Sequence, residues 1–167
     1  MEESCSSPYF LSQIRCRRPD AAAVISGSDE YPEIKGLVSF CQTPKGVIVT
    51  SEIWGLPDKE NSSCSNPVFA MHIHSGSSCT GNADDPFADT EGHFNPEGCI
   101  HPAHAGDLPP LFSNRGLAWC SVLTDRFKVR SVIGKTVVIH RQPDDFTTQP
   151  SGNSGRKIAC GVIKRLS

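Results

Sequence analysis

The feature that most constrains this chain is a series of short apolar runs that alternate with period two and are separated by turn formers. Val38 and Phe40 alternate within Gly36–Phe40, and Val47, Val49 and Ile53 lie in a second run from Gly46 to Leu56. Phe69, Met71 and Ile73 form a third, Val137 and Ile139 alternate within Thr136–His140, and Ile158–Ile163 is the last. Residues two apart in a strand share a face, so each run predicts a strand with one buried side. Thr43-Pro44-Lys45-Gly46, Gly55-Leu56-Pro57 and Ile133-Gly134-Lys135 supply turns between them. No segment has helical periodicity and no internal repeat is visible. Short strands at this spacing predict an all-β sandwich or closed barrel. The 14 glycines and 13 prolines suit such a turn-rich fold, and 167 residues suffice for one core. Residues 1–20 are polar and lack periodicity, so a flexible tail is expected there, with the barrel domain over residues 21–167.

Charge and hydropathy exclude several classes of partner. A net charge of -2 is too small for a nucleic-acid binder. No apolar run reaches the roughly 18 residues of a membrane span. The N-terminus, Met1-Glu2-Glu3-Ser4-Cys5, has neither a basic start nor an unbroken apolar stretch, so a cytoplasmic location is expected. The 8 cysteines are irregularly spaced and form no C-x-x-C pair, which argues against a cysteine zinc site.

Residues 75–115 break the pattern. They have no strand alternation and are rich in Gly, Pro, Asp and His. A loop of that length in a compact domain is functional or cross-linked. Just before it, His72 and His74 alternate with Met71 and Ile73, so both imidazoles stand together on the face opposite the core. His140 stands outward at a strand end by the same alternation. Within the loop, His93, His101, His104 and Asp107 offer the three nitrogens and one carboxylate that suit tetrahedral zinc.

These elements, in this order, resemble the Cu,Zn superoxide dismutases. The matching segments are Ala70-Met71-His72-Ile73-His74, Gly92-His93-Phe94-Asn95-Pro96, Ala105-Gly106-Asp107-Leu108, Gly134-Lys135-Thr136-Val137-Val138-Ile139-His140 and Ala159-Cys160-Gly161-Val162-Ile163. The resemblance runs from about Gly36 to Ile163 and uses all 6 histidines. It implies a Greek-key β-barrel or sandwich of about eight antiparallel strands, immunoglobulin-like, with long metal-binding and electrostatic loops. It implies copper on His72, His74, His93 and His140, and zinc on His93, His101, His104 and Asp107. His93 then bridges the metals and carries a proton. Asp144 matches the carboxylate that orients a copper and a zinc histidine. Cys79 and Cys160 match the family's internal disulfide, and the other six cysteines are left as reduced thiols. The implied reaction disproportionates superoxide to O₂ and H₂O₂. No nucleic-acid or membrane partner is implied, and a homodimer is compatible.

The chain departs from the family at the anion-binding cation. Where an arginine is usual stands Lys157, preceded by Arg156. Neighbouring strand residues face opposite ways, so only one can face copper, and Lys157 is expected to. The loop between His140 and Cys160 is shorter than in the animal enzymes. The loop between Cys79 and His93 is longer and carries Asp84, Asp85, Asp89 and Glu91, expected as a solvated face, or as a repulsive rim for an anion where they line the channel. Two other readings are a copper-buffering protein without turnover and a zinc hydrolase. The buffer needs no Lys157, and four zinc ligands leave no open position for a hydrolytic water.

Overall fold

The computed structural model describes Cys16 and residues 18–57 and 67–167. Most of the expected tail, and with it Cys5, lies outside the described residues, as does Cys64. The architecture is all-β and antiparallel. Seven strands form one curled sheet in the order β5-β8-β9-β1-β2-β3-β7. They are β1 (Ala21–Gly27), β2 (Lys35–Thr43), β3 (Gly46–Trp54), β5 (Met71–His74), β7 (Ala118–Thr124), β8 (Thr136–His140) and β9 (Lys157–Arg165). β4 (Val68–Phe69) pairs with β6 (Leu111–Phe112) in a separate ribbon. β4 runs into edge strand β5 through Ala70, and β6 lies against edge strand β7, so the ribbon helps close the curl. Alternation foretold five of these runs. It missed β1 and β7, where Ala21-Ala22-Ala23 and Trp119, Leu123 obscure the period, and the two-residue β6, which lies in the stretch read as having no strand pattern.

The chain crosses between the two sides of the sheet three times, from β3 to the β4–β5 segment, from β5 through β6 to β7, and from β7 to β8. These long connections are the Greek-key feature of the fold. A four-residue helix, α1 (Val129–Val132), lies on the last crossing, where no helix is expected from the sequence. No helix among the described residues is long and apolar enough to cross a membrane.

The main core fills the inside of the curl with Ile25, Val38, Phe40, Val47, Val49, Ile53, Met71, Ile73, Val137, Ile139 and Ile163. β8 differs from a one-sided strand because all five of its residues are buried. Its inward side chains join the core, and its outward ones lie under the long loop. There Val138 packs with Phe87, Cys160 and Cys79 in a second, smaller apolar cluster. The expected Cys79–Cys160 bridge is present in that cluster. It ties the loop to β9.

A second bridge corrects the cysteine reading: Cys16 and Cys41 are joined, and are not reduced thiols. Sequence offered no pairing signal for them, because the two meet only when residues 18–20 fold back on β2. There Asp20 donates its N–H to Phe40, and its carboxylate accepts from the Gln42 N–H at 2.7 Å. Among the described residues Cys99 and Cys120 are free thiols. In the chain-entropy model, separations of 81 and 25 residues make the two bridges worth roughly 4.5 and 3.5 kcal/mol. Cys160→Ser should therefore lower the urea midpoint more than Cys41→Ser. Non-reducing peptide mapping should return both linked pairs, and alkylation of Cys16 or Cys41 in native protein would refute the second bridge.

Candidate metal centre

The site is built on the outward side of β5 and β8. Met71 pairs with Ile139, His72 with Val138 and His74 with Thr136. His72 and His74 thus project from the barrel wall, as alternation requires, but they are buried rather than solvated. The loop covers them by pairing with β5. Ile73 donates its N–H to Gly106 at 2.9 Å and accepts from the Phe94 N–H at 2.8 Å. Bridges between His74 and His93, and between His72 and Asp107, carry the loop residues alongside the strand histidines. Only glycine fits at position 106, since a Cβ there would collide with the Ile73 carbonyl.

Two clusters of donor atoms result, and they share one residue. His72, His74, His93 and His140 form the first; His93, His101, His104 and Asp107 form the second. Within each, the donor atoms lie within 4.8 Å of one another. In the second, His93 Nδ1 is 2.7 Å from Asp107 Oδ1 and 3.3 Å from His104 Nδ1, and His101 Nδ1 is 3.1 Å from Asp107 Oδ2. Donors on a tetrahedral zinc with bonds of about 2.0–2.2 Å stand roughly 3.3 Å apart. The second cluster is close to that size.

Four of the rings are oriented through their other nitrogen. A carbonyl can only accept, so His74 Nδ1 donates to Glu91 O at 2.7 Å and His140 Nδ1 donates to Gly155 O at 3.2 Å. That leaves both Nε2 atoms as lone pairs, 3.3 Å apart. Asp144 accepts from His72 Nε2 at 2.8 Å and from His101 Nε2 at 2.9 Å, one ring from each cluster. Both Nδ1 atoms then face their clusters. His72 Nδ1, His93 Nε2 and His101 Nδ1 are buried and have no hydrogen-bond partner among the described residues. His101 Nδ1 is near Asp107 but not aligned for a hydrogen bond. Buried unpartnered nitrogens are costly. Those left over here are the ones a metal ion would satisfy, so the donor set fits copper and zinc.

Several supporting residues carried no sequence signal. Gln149 clamps the His101 backbone, accepting from its N–H at 2.9 Å and donating to its carbonyl at 2.6 Å. Arg126 Nη1 donates to the carbonyls of Pro102, His104 and Asp107 at 3.1, 3.4 and 3.3 Å. Gly152 has a positive φ of 66°, and a Cβ there would strike the Asp144 carboxylate and His101.

The expected cation is at the site, for a reason that strict alternation does not supply. Counting back from outward Cys160 puts Arg156 outward and Lys157 inward. A register shift beside Ile139 and His140 reverses this. Ile158 and Ala159 both enter the core, and Lys157 pairs with His140. Lys157 lines one pocket with His74, His93 and His140, and its side chain is 15% exposed. Arg156 is 62% exposed and pairs with Glu30 at 2.9 Å.

Burial makes the imidazoles of His72, His74 and His140 poor bases. It lowers His140 to about 3, with repulsion from His72 adding to the effect. Burial also lowers His72, and takes His74 well below 6.5. For Asp144 burial acts in the raising direction, but hydrogen bonds from His72, the Phe146 N–H and His101 outweigh it and bring the carboxyl to about 2. In the metal-free protein the unfolded chain takes up histidine protons below about 6.5 that the folded chain refuses down to about 3. The unfolded state thus binds more protons in that window, and stability falls as pH falls. The Asp144 contribution has the same sign and is lost as pH drops from about 3.8 toward 2. The urea midpoint of chelator-treated protein should be lower at pH 5 than at pH 7; an equal or higher midpoint at pH 5 contradicts the buried-neutral assignment.

Comparison with known proteins agrees with this geometry. The family model described as copper/zinc superoxide dismutase (SODC) matches residues 34–163. A copper-zinc superoxide dismutase 2 of Aquifex aeolicus is 32% identical over 147 residues, covering 79% of this chain and 80% of the relative. The copper-zinc superoxide dismutase of Legionella pneumophila is 31% identical over 153 residues, covering 87% of each. The solved Cu/Zn superoxide dismutase from Brucella abortus shares the fold, with a TM-score of 0.70, 22% identity and coverage of 86% of this chain and 99% of that one. The chain belongs to the copper/zinc superoxide dismutase family, oxidoreductases that carry copper and zinc.

Proposed function

We propose that this chain disproportionates superoxide to O₂ and H₂O₂ with copper held by His72, His74, His93 and His140, and zinc held by His93, His101, His104 and Asp107. The observation that carries the assignment is the pair of four-donor clusters joined through one histidine. Bound copper supplies a one-electron couple, and bound zinc supplies charge and shape without redox chemistry.

The chain's own residues do the rest. Asp144 orients one ring in each cluster, so the two sites are held by a common carboxylate. His93 has one nitrogen toward each cluster. Its buried, unpartnered Nε2 is the atom at which the chain can hold a proton and give it up beside the substrate. Lys157 places a positive charge in the same pocket, where it attracts a small anion.

Two features extend the proposal. Two disulfides weigh toward an oxidising compartment rather than the cytoplasm. Trapping of free thiols in intact cells separates these. A homodimer is supported by a row of exposed side chains across adjacent strands, where Val24 pairs with Leu37, Leu37 with Glu52, and Glu52 with Trp119. Sedimentation velocity tests it.

Metal content and superoxide consumption, measured on the same samples, test the site. His140→Ala should lose copper-dependent turnover and keep zinc. His104→Ala should weaken zinc, and Asp144→Asn should weaken metal binding by roughly 10–100-fold. Full turnover in His140→Ala would overturn the copper assignment. Stoichiometric copper with no turnover in the unaltered protein would favour the buffering alternative. Lys157→Glu should slow turnover strongly at low salt, and Arg156→Glu should do little; the reverse ranking would move the cation's role to Arg156.

A further inference from the structure

The acidic residues of the loop do not form a uniform solvated face. Asp85 Oδ2 accepts a hydrogen bond from Lys157 Nζ at 2.8 Å, and Nζ also donates to the Phe87 carbonyl at 3.0 Å. The carboxylate is itself held in place. Its Oδ1 accepts from the Phe87 N–H at 3.0 Å, and the Asp85 N–H donates to Asn82 Oδ1 at 3.0 Å. The Asp85 carbonyl accepts from the N–H groups of Asn82 and Ala88. The Cys79–Cys160 bridge ties this same loop to β9 close to Lys157.

A lysine ammonium has three N–H donors on a flexible stem and lacks the fixed fork of a guanidinium. Here two of the three donors are committed to two positioned acceptors. One donor remains for an anion in the pocket shared with His74, His93 and His140. We infer that Asp85 is a positioning residue for the anion: it anchors Lys157 Nζ beside the histidine cluster and offsets part of its charge, so that the pocket offers an oriented donor rather than a mobile cation. The inference rests on the reading of Lys157 as the anion-binding group. It also separates Asp85 from Asp84, Asp89 and Glu91: among the described residues only Asp85 pairs with Lys157, and Glu91 lines the same pocket without an ion pair to it.

Asparagine and alanine at position 85 separate anchoring from charge. Asp85→Asn removes the charge and keeps one acceptor oxygen, available to Nζ at the expense of the Phe87 N–H, whereas Asp85→Ala removes both charge and acceptor. Azide, a small monoanion that gives a visible charge-transfer band on Cu²⁺, probes the pocket in copper- and zinc-loaded protein at low ionic strength. Asp85→Asn should tighten azide roughly threefold, the size expected of a partly exposed ion pair. Asp85→Ala should bind azide roughly fivefold more weakly than Asp85→Asn, because one charged hydrogen bond no longer holds the ammonium. In a Lys157→Met background the Asn and Ala variants should bind azide alike. Metal content and thermal midpoint of every variant confirm that it is loaded and folded. Equal azide affinity for Asn and Ala beside native Lys157 would overturn the anchoring role. An unchanged azide affinity in Lys157→Met would instead overturn the reading of Lys157 as the anion-binding group.

Discussion

The structure depends on keeping polar rings buried outside its hydrophobic core. His72, His74, His101, His104 and His140 are buried, as are Asp107 and Asp144. An apolar core tolerates no such group, so the fold places all of them on the far side of the β5–β8 wall and encloses them with chain rather than with water. Asp144 is the keystone of that enclosure. One carboxylate accepts from His72 on the strand and from His101 on the loop. It fixes two tautomers at once and makes loop position a condition of strand-histidine geometry.

Besides burying Phe94, Ala105, Leu108 and Leu111 against the main core, the loop is held at several separate points. The Cys79–Cys160 bridge and the Phe87–Val138 cluster fasten its first half to β8 and β9. Backbone pairing of Phe94 and Gly106 with Ile73 fastens its middle. Arg126 and Gln149 reach in from outside to hold the carbonyls and amides around His101 and His104. These anchors belong to segments far apart in sequence, which joins loop order to the integrity of the whole sheet.

Electrostatics in the pocket are moderated rather than maximised. Lys157 stands where it can meet an anion, yet Asp85 faces it directly. A guanidinium is rigid without help, while an ammonium becomes an oriented donor only when neighbours hold it. The longer acidic loop and the lysine therefore make physical sense together.

The sequence by itself determined five of the strand runs, the outward placement of His72 and His74 and the chemical kinds of the two donor sets. Those properties follow from local alternation and from residue type, which act over a few positions. The matching segments from Ala70 to Ile163 also carried the family and the Cys79–Cys160 pair. Tertiary structure decided what depends on distant segments meeting. The Cys16–Cys41 bridge forms because residues 18–20 fold back onto β2. The Asp85–Lys157 pair joins residues far apart along the chain, and nothing in the local sequence of either marks it. The outward position of Lys157 comes from a bulge opposite His140 that strict alternation would have denied. A two-residue period reports which face a side chain takes only while the ladder is regular, and here the ladder breaks at the metal site.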